Sequence, residues 1–348
     1  MGCVRAPFVT VACFLVAVLT LQAGENQPAS LTPADWSKLM QQARNGDHQA
    51  QILVGVAFQS GTIGKQDFLE AARWFSRAAE AGNPIAEYDL GLMHYYGEGV
   101  PRNPTEALKW FERAAARGLP EGQFNAARLY ETGTGVSRNL GRALDLYREA
   151  AESGHASAQN NLGCMYWNGE GVRRDPEAAL KWFTKSAQQG HARAQAALGD
   201  LLLTGRGVPR DDQAAAIWLR KAAEQGDPAA ENMIGVLYLN GQGVAADDSL
   251  AAAWFAKAAE QGNHDAQANL ATLYEIGSGV DSDPNRAYTW LLLSLEGTEH
   301  PDQSPRLRDL AERMSTSEIT EAQRRASEWR SAHQPSPPHE NIHLLAAY

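Results

Sequence analysis

Apolar and polar positions along this chain follow the spacing of helix faces. Between residues 83 and 118, Ala86, Leu90, Met93 and His94 fall at i, i+4, i+7 and i+8, a single helical stripe. Further along, the place of His94 is taken by Tyr130, Tyr166, Tyr238 and Tyr274. This segment, helix A, is expected to stop at Gly97, where a left-handed residue is needed, and Gly99-Val100 then turns the chain. A second stripe, Ala107, Trp110, Phe111, Ala114 and Ala115, again has helical period and marks helix B. Asn103 precedes it as an N-cap whose side-chain oxygen can accept an orphan amide hydrogen. Pro104 takes the first helical position, where a missing N–H costs nothing.

The whole unit recurs. Gly46, Gly82, Gly118, Gly154, Gly190, Gly226 and Gly262 stand 36 residues apart, and the series beginning at Gly97 and at Gly99 keep step with them. Self-similarity at that period implies stacked supersecondary units rather than one closed core. The cap of helix B is Asp67, Asn103, Asn139, Asp175, Asp211, Asp247 or Asp283, which makes capping rather than chemistry the role of these residues. Ala71, Ala107, Ala143, Ala179, Ala215, Ala251 and Ala287 never vary in size, as expected where a neighbouring helix approaches closely. The tryptophans Trp74, Trp110, Trp182, Trp218, Trp254 and Trp290 share one helical phase beside alanine, so they read as core packing rather than as a ligand cage.

Seven such units run from 47 to about 297, the first departing slightly with Ile63-Gly64. Thr32-Pro33 through Asn45 supplies a lone helix before them. Ser315-Thr316-Ser317-Glu318 opens an amphipathic helix through Trp329 after them. Solenoids need such ends to keep an unpaired apolar face out of water. The expected organisation is a signal peptide over 1–23, an N-terminal capping helix over 24–46, seven repeats over 47–297, C-terminal capping helices over 298–333 and a disordered tail over 334–348.

Composition changes this picture mainly at the start of the chain. The 348 residues are 44% hydrophobic and 21% charged, ordinary for globular protein, and a formal net charge of −10 leaves no basic face for phosphates. Nucleic acid is not an expected partner. Arg5, the apolar run from Ala6 to Leu21 and the small residues Ala23 and Gly24 describe a secretory signal peptide, with an uncleaved membrane anchor as the alternative. A membrane role is expected only if that segment stays attached. Cys3 and Cys13 lie within it, which leaves Cys164 as a lone thiol and assigns stability to packing rather than disulfides.

The string Ala-x3-Leu-Gly-x2-Tyr-x2-Gly-x-Gly-Val-x2-Asp-x3-Ala-x2-Trp, followed by small residues and Gly190, runs from Ala158 and resembles the Sel-one-like repeat family, a cousin of the tetratricopeptide repeats. The resemblance covers roughly seventy per cent of the chain, through several residue types recurring in phase. It implies an all-α fold, a right-handed α-solenoid of antiparallel helix pairs with the A helices lining the inner, concave surface. It also implies an adaptor role, in the bacterial periplasm or secreted, or in the endoplasmic-reticulum lumen if the source is eukaryotic. Some cysteine-rich bacterial relatives are associated with penicillin binding or β-lactamase activity, but they place a disulfide in each repeat, which this sequence does not.

On helix A the side away from the packing stripe falls at positions 88, 92 and 95 of the type unit. Unlike the ladders, these positions change freely. They read Tyr88/Leu92/Tyr95, Phe124/Arg128/Glu131, Asn160/Cys164/Trp167, Ala196/Asp200/Leu203, Asn232/Val236/Leu239 and Ala268/Thr272/Glu275. Tyr88, Leu92, Tyr95, Phe124, Arg128, Trp167, Leu203 and Leu239 are therefore the candidate partner-binding residues, for an extended peptide or a helix, since rigid aromatics and Arg give most contact energy per ordered side chain. The alternative is that some of them bury against the next repeat.

Enzymatic motifs are thin. His155 and His191 stand where Asn83, Asp227 and Asn263 stand elsewhere and read as cap residues; there is no Cys-x-x-Cys. The repeated Gly-x-Gly lacks a third glycine and follows a helix, which argues against a dinucleotide loop. No catalytic residue, metal or cofactor is expected. The first functional reading is an exported scaffold for a protein or peptide partner. The others are an enzyme acting on cell-wall peptides or β-lactams, and a glycan-binding scaffold.

Overall fold

The computed structural model describes residues 32–296 and 304–333. The expected signal peptide and the expected disordered tail lie outside the described residues. Within them the protein has seventeen α-helices and no strand. The chain divides into two compact units, one ending at Ala194 and the other beginning at Gln195.

The first unit holds α1 (Pro33–Arg44), α2 (His48–Ser60), α3 (Phe68–Glu80), α4 (Pro84–Tyr96), α5 (Pro104–Ala116), α6 (Pro120–Thr132), α7 (Leu140–Glu152), α8 (Ala156–Asn168) and α9 (Pro176–Gln188). Helix α10 (Ala192–Thr204) carries the division. The second unit continues with α11 (Asp212–Glu224), α12 (Pro228–Asn240), α13 (Asp248–Glu260), α14 (His264–Ile276), α15 (Pro284–Ser294), α16 (Pro305–Ala311) and α17 (Thr316–His333). From α2 to α15 the helices form antiparallel A–B pairs, one per repeat, the architecture of an α-solenoid.

The sequence dictates where each helix begins and ends. Asp67, Asn103, Asn139, Asp175, Asp211, Asp247 and Asp283 all accept amide hydrogens from the first turn of helix B through their side chains. The A helices stop on left-handed glycines such as Gly97, at φ +82°. Gly99 does more than turn the chain. A Cβ there would lie 2.1 Å from the carbonyl oxygen of Phe68, so this glycine lets the A–B loop of one repeat press on the start of helix B in the repeat before.

The alanine ladder is completely buried in all seven repeats. Inside helix A, Gly91 faces the ring of Phe111, where a Cβ would lie 2.6 Å from the ring edge. A glycine in mid-helix costs about 1 kcal/mol relative to alanine, and here the space it leaves is filled by an aromatic ring. Five of the six ladder tryptophans carry a cation three residues on over the ring: Arg77 over Trp74 at 4.5 Å, Arg113 over Trp110 at 4.3 Å, Lys185 over Trp182 at 4.4 Å, Lys221 over Trp218 at 4.5 Å and Lys257 over Trp254 at 4.1 Å.

At the described ends, α1 brings Ala43 and the flanks of Trp36, Leu39 and Met40 onto Val54 and Trp74. In the second unit Leu307, Leu310 and Ala322 join Ala271, Tyr288 and Leu291 in one cluster. The Ser315 amide donates to Glu318 Oε2 at 2.7 Å and the Glu318 amide donates to Ser315 Oγ at 3.3 Å, a reciprocal capping box at the start of α17.

Candidate functional site

The candidate residues lie on the helix-A face, six in the first unit and two in the second. In α4, Tyr88 and Leu92 are buried while Tyr95 is half-buried. The Tyr88 ring lies 5.7 Å from Phe111, and its hydroxyl accepts a hydrogen bond from Asn125 Nδ2 at 3.1 Å. In α6, Phe124 is buried, stacked on His155 at 4.7 Å and tilted against Tyr147 at 5.8 Å. Tyr88, Leu92 and Phe124 thus belong to one buried cluster, with Tyr95 packed at its edge. Half-buried Arg128 has its guanidinium carbon 6.0 Å from the Phe124 ring centre, and burial pulls its pKa down. In α8, Trp167 is half-buried with Arg174 over its ring at 4.9 Å. In the second unit Leu203 is half-buried and Leu239 is exposed.

Three further residues of these segments have ionisation shifted by burial. Asp89 is 2% exposed, its Oδ2 has no hydrogen-bond partner, and burial pushes its carboxyl up to about 7. The repeat register explains this. Asn125 and Asn269, at the same phase, donate to Tyr88 and to Asn232 of the preceding repeat. For Asp89 that register offers Ile52, which has nothing to bond. His155 and His191 are N-terminal cap residues whose Nδ1 atoms accept from the Ala158 and Ala194 amides at 3.1 and 3.3 Å. Burial pulls both imidazoles down to about 4.

A row that the helix periodicity does not single out holds successive repeats together. Gln51, Glu87, Gln123, Gln159, Gln195, Glu231 and Gln267 recur at one phase, and all are buried. Gln51, Gln159 and Gln267 donate to the carbonyls of Ala43, Ala151 and Ala259 at the end of the preceding helix. Gln159, Gln195 and Glu231 also accept from Gln189, Gln225 and Gln261, each at 2.7 Å. Glu87 instead takes Arg113 and Arg117 at 3.0 and 3.1 Å. The signal was in the sequence as a recurring Gln or Glu one residue before the variable position.

Two expectations about displayed residues are corrected. Thr272 and Glu275 of α14 are held by the chain itself: Arg306 of α16 donates to Thr272 Oγ1 at 2.8 Å and to Glu275 Oε2 at 3.2 Å, and Arg313 also donates to Glu275. These bonds, that from Arg313 foremost, hold the Glu275 carboxyl below its usual range. Cys164, from the same variable row, is fully buried; the other two cysteines, Cys3 and Cys13, lie outside the described residues. Among the described residues no group of three or more His, Cys, Asp or Glu side chains could hold a metal ion, and no helix is long and apolar enough to cross a membrane.

The Sel1 repeat matches seven times in succession, over residues 48–83, 84–119, 120–155, 156–191, 192–227, 228–263 and 264–297. The crystal structure of a Sel1 repeat protein from Oxalobacter formigenes is similar, with 35% identity, a TM-score of 0.64 and 86% of each chain covered. Two components of an ERAD-associated E3 ubiquitin-protein ligase from Arabidopsis thaliana, HRD3B and HRD3A, are 36% and 34% identical over 59 residues, 17% of this chain. The match spans about a tenth of the length of these curated relatives, 10% and 9%.

Proposed function

Because this chain belongs to the Sel1 repeat family, we propose that it is an exported scaffold that binds a protein or peptide partner on its helix-A face. The observation that carries the reading is the contrast between rows. The alanine row is identical in all seven repeats, the caps are always Asp or Asn and the turn glycines recur in all but the first repeat, whereas the set of residues at the helix-A positions changes from one repeat to the next. Tyr95, Arg128, Trp167, Leu203 and Leu239 combine that variability with partial or full exposure. Aromatic and arginine side chains there favour a macromolecular partner. The two plant relatives are named as components of a ligase assembly, which supports a role in holding partners. Export, to a periplasm or beyond the cell, rests on Arg5 and the apolar run that follows it.

The test is site-specific photocrosslinking in the native compartment, with the crosslinker at Trp167 or Leu239 and, as control, at Lys181 on an outward phase of helix B. Discrete adducts from the helix-A positions alone are expected. Adducts of equal yield from Lys181, or none from either helix-A site, would overturn the reading.

A further inference from the structure

One stretch of the second unit's helix-A face is already occupied, and the occupant shows what that face accepts. Helix α16 places Arg306 on Thr272 and Glu275 while Leu307 and Leu310, one and four residues later, are buried in the adjoining cluster. The seat consists of two of the three variable positions of repeat seven. In the preceding repeats the same two positions hold Asp200 with Leu203, and Val236 with Leu239. Asp200 is half-buried and forms no ion pair with a described residue. Leu203 and Val236 are half-buried, Leu239 is 36% exposed, and Ile276, on the border with the α16 seat, is 66% exposed. The face therefore carries a carboxylate, then an apolar stretch, then the edge of an interface the chain makes with itself.

We propose that Asp200, Leu203, Val236 and Leu239 form a docking groove for an amphipathic helix of the α16 kind, carrying an arginine followed by leucine-like residues one and four positions on. The arginine pairs with Asp200, and the apolar residues cover Leu203, Val236 and Leu239. Neighbouring helices lie about 10 Å apart, which about seven residues of helix span at 1.5 Å each. Two turns of partner thus reach from Asp200 to the leucine of the next repeat, and α16 blocks further extension past Ile276. The desolvation that raises the Asp200 carboxyl is the cost an incoming guanidinium relieves. This inference rests on the helix-A face being the binding face and adds the chemistry of what is bound.

The experiment uses the full chain and a fluorescent peptide with the sequence of residues 304–315, read by anisotropy. Saturable binding is expected, weakened about ten-fold by Asp200→Asn and by Leu239→Asp, and unchanged by Glu275→Gln. A peptide carrying R306Q should bind the wild type weakly and lose nothing more on Asp200→Asn, as coupled partners do. Thermal melts of the variants check that folding is intact, and Asp200→Asn and Leu239→Asp both change side chains that are not fully enclosed. The proposal is overturned if no saturable binding appears up to ~1 mM. It is equally overturned if binding depends on Glu275 but not on Asp200, which would mean exchange with the chain's own helix. Should photocrosslinks at Trp167 form while the peptide fails to bind, this inference falls and the broader scaffold reading stands.

Discussion

Replacing Asp89 with asparagine should make the first unit more stable at neutral and alkaline pH. The carboxyl is 2% exposed, has one oxygen without a partner, and titrates at about 7 instead of the usual 3.8. In the folded state it keeps its proton over a range where the unfolded chain has lost it. The folded state therefore binds more protons between pH 3.8 and about 7, and its stability falls as pH rises through that window, then levels off. Each tenfold change in proton affinity is worth about 1.36 kcal/mol, so the cost at pH 8 approaches about 4 kcal/mol, less whatever local relaxation recovers. Asparagine has nearly the same shape and no charge to bury. Urea unfolding of wild type and Asp89→Asn, followed at several pH values from 4 to 8.5, gives the difference between them. Taking the difference removes histidines that titrate in the same range. The two proteins should be equal near pH 4 and diverge with rising pH in favour of the variant. A difference that stays flat with pH, or favours the wild type at pH 8, would refute the reasoning.

The other expectations are quicker to state. His155 and His191 must stay neutral to accept their cap hydrogens, and their pKa values near 4 lie below the usual 6.5, so their contribution is full above 6.5 and lost as pH falls toward 4; His155→Asn, which keeps the cap, should flatten that acid limb in a pH series of thermal melts. Removing both Arg113 and Arg117 leaves the Glu87 carboxylate, 0% exposed in its side chain, without its cations, which should cost about 3–5 kcal/mol; adding Glu87→Gln, the residue found in most repeats of that row, should recover most of it in denaturant titrations. Gly99→Ala should unfold at a clearly lower temperature than Gly118→Ala. Both glycines have positive φ, +69° and +81°, but only at Gly99 does the new methyl meet a neighbouring carbonyl, while Gly118 has nothing within 4 Å; the latter should lose only the left-handed penalty of about 1–2 kcal/mol.

Helix ends, caps and the alanine seam were legible in the sequence because each is fixed by local chemistry repeated seven times. The burial of Tyr88 and Phe124 was legible only as the alternative to display. A single-helix periodicity assigns one packed face and one free face, whereas helix A here touches its own helix B and also the A helix of the next repeat, from which Asn125 reaches Tyr88. Asp89 was invisible for the same reason, since only its register against Ile52 makes it costly. The occupation of Glu275 could not be read because Arg306 and Arg313 lie beyond the last repeat, where the period is lost.

The contact between Gly99 and the Phe68 carbonyl has a bearing on how such a chain can change over time. The same joint is made by Gly135 on Pro104, Gly171 on Leu140, Gly243 on Asp212 and Gly279 on Asp248. These five contacts are made mainly with backbone atoms, so this joint places little demand on which side chains the adjoining cassette brings. Duplication, loss or shuffling of an entire 36-residue cassette preserves these loop contacts, whereas gaining or losing a single residue shifts one of them out of step. Lineages built on this plan are free to vary the number and order of their display positions while their connecting geometry stays constant.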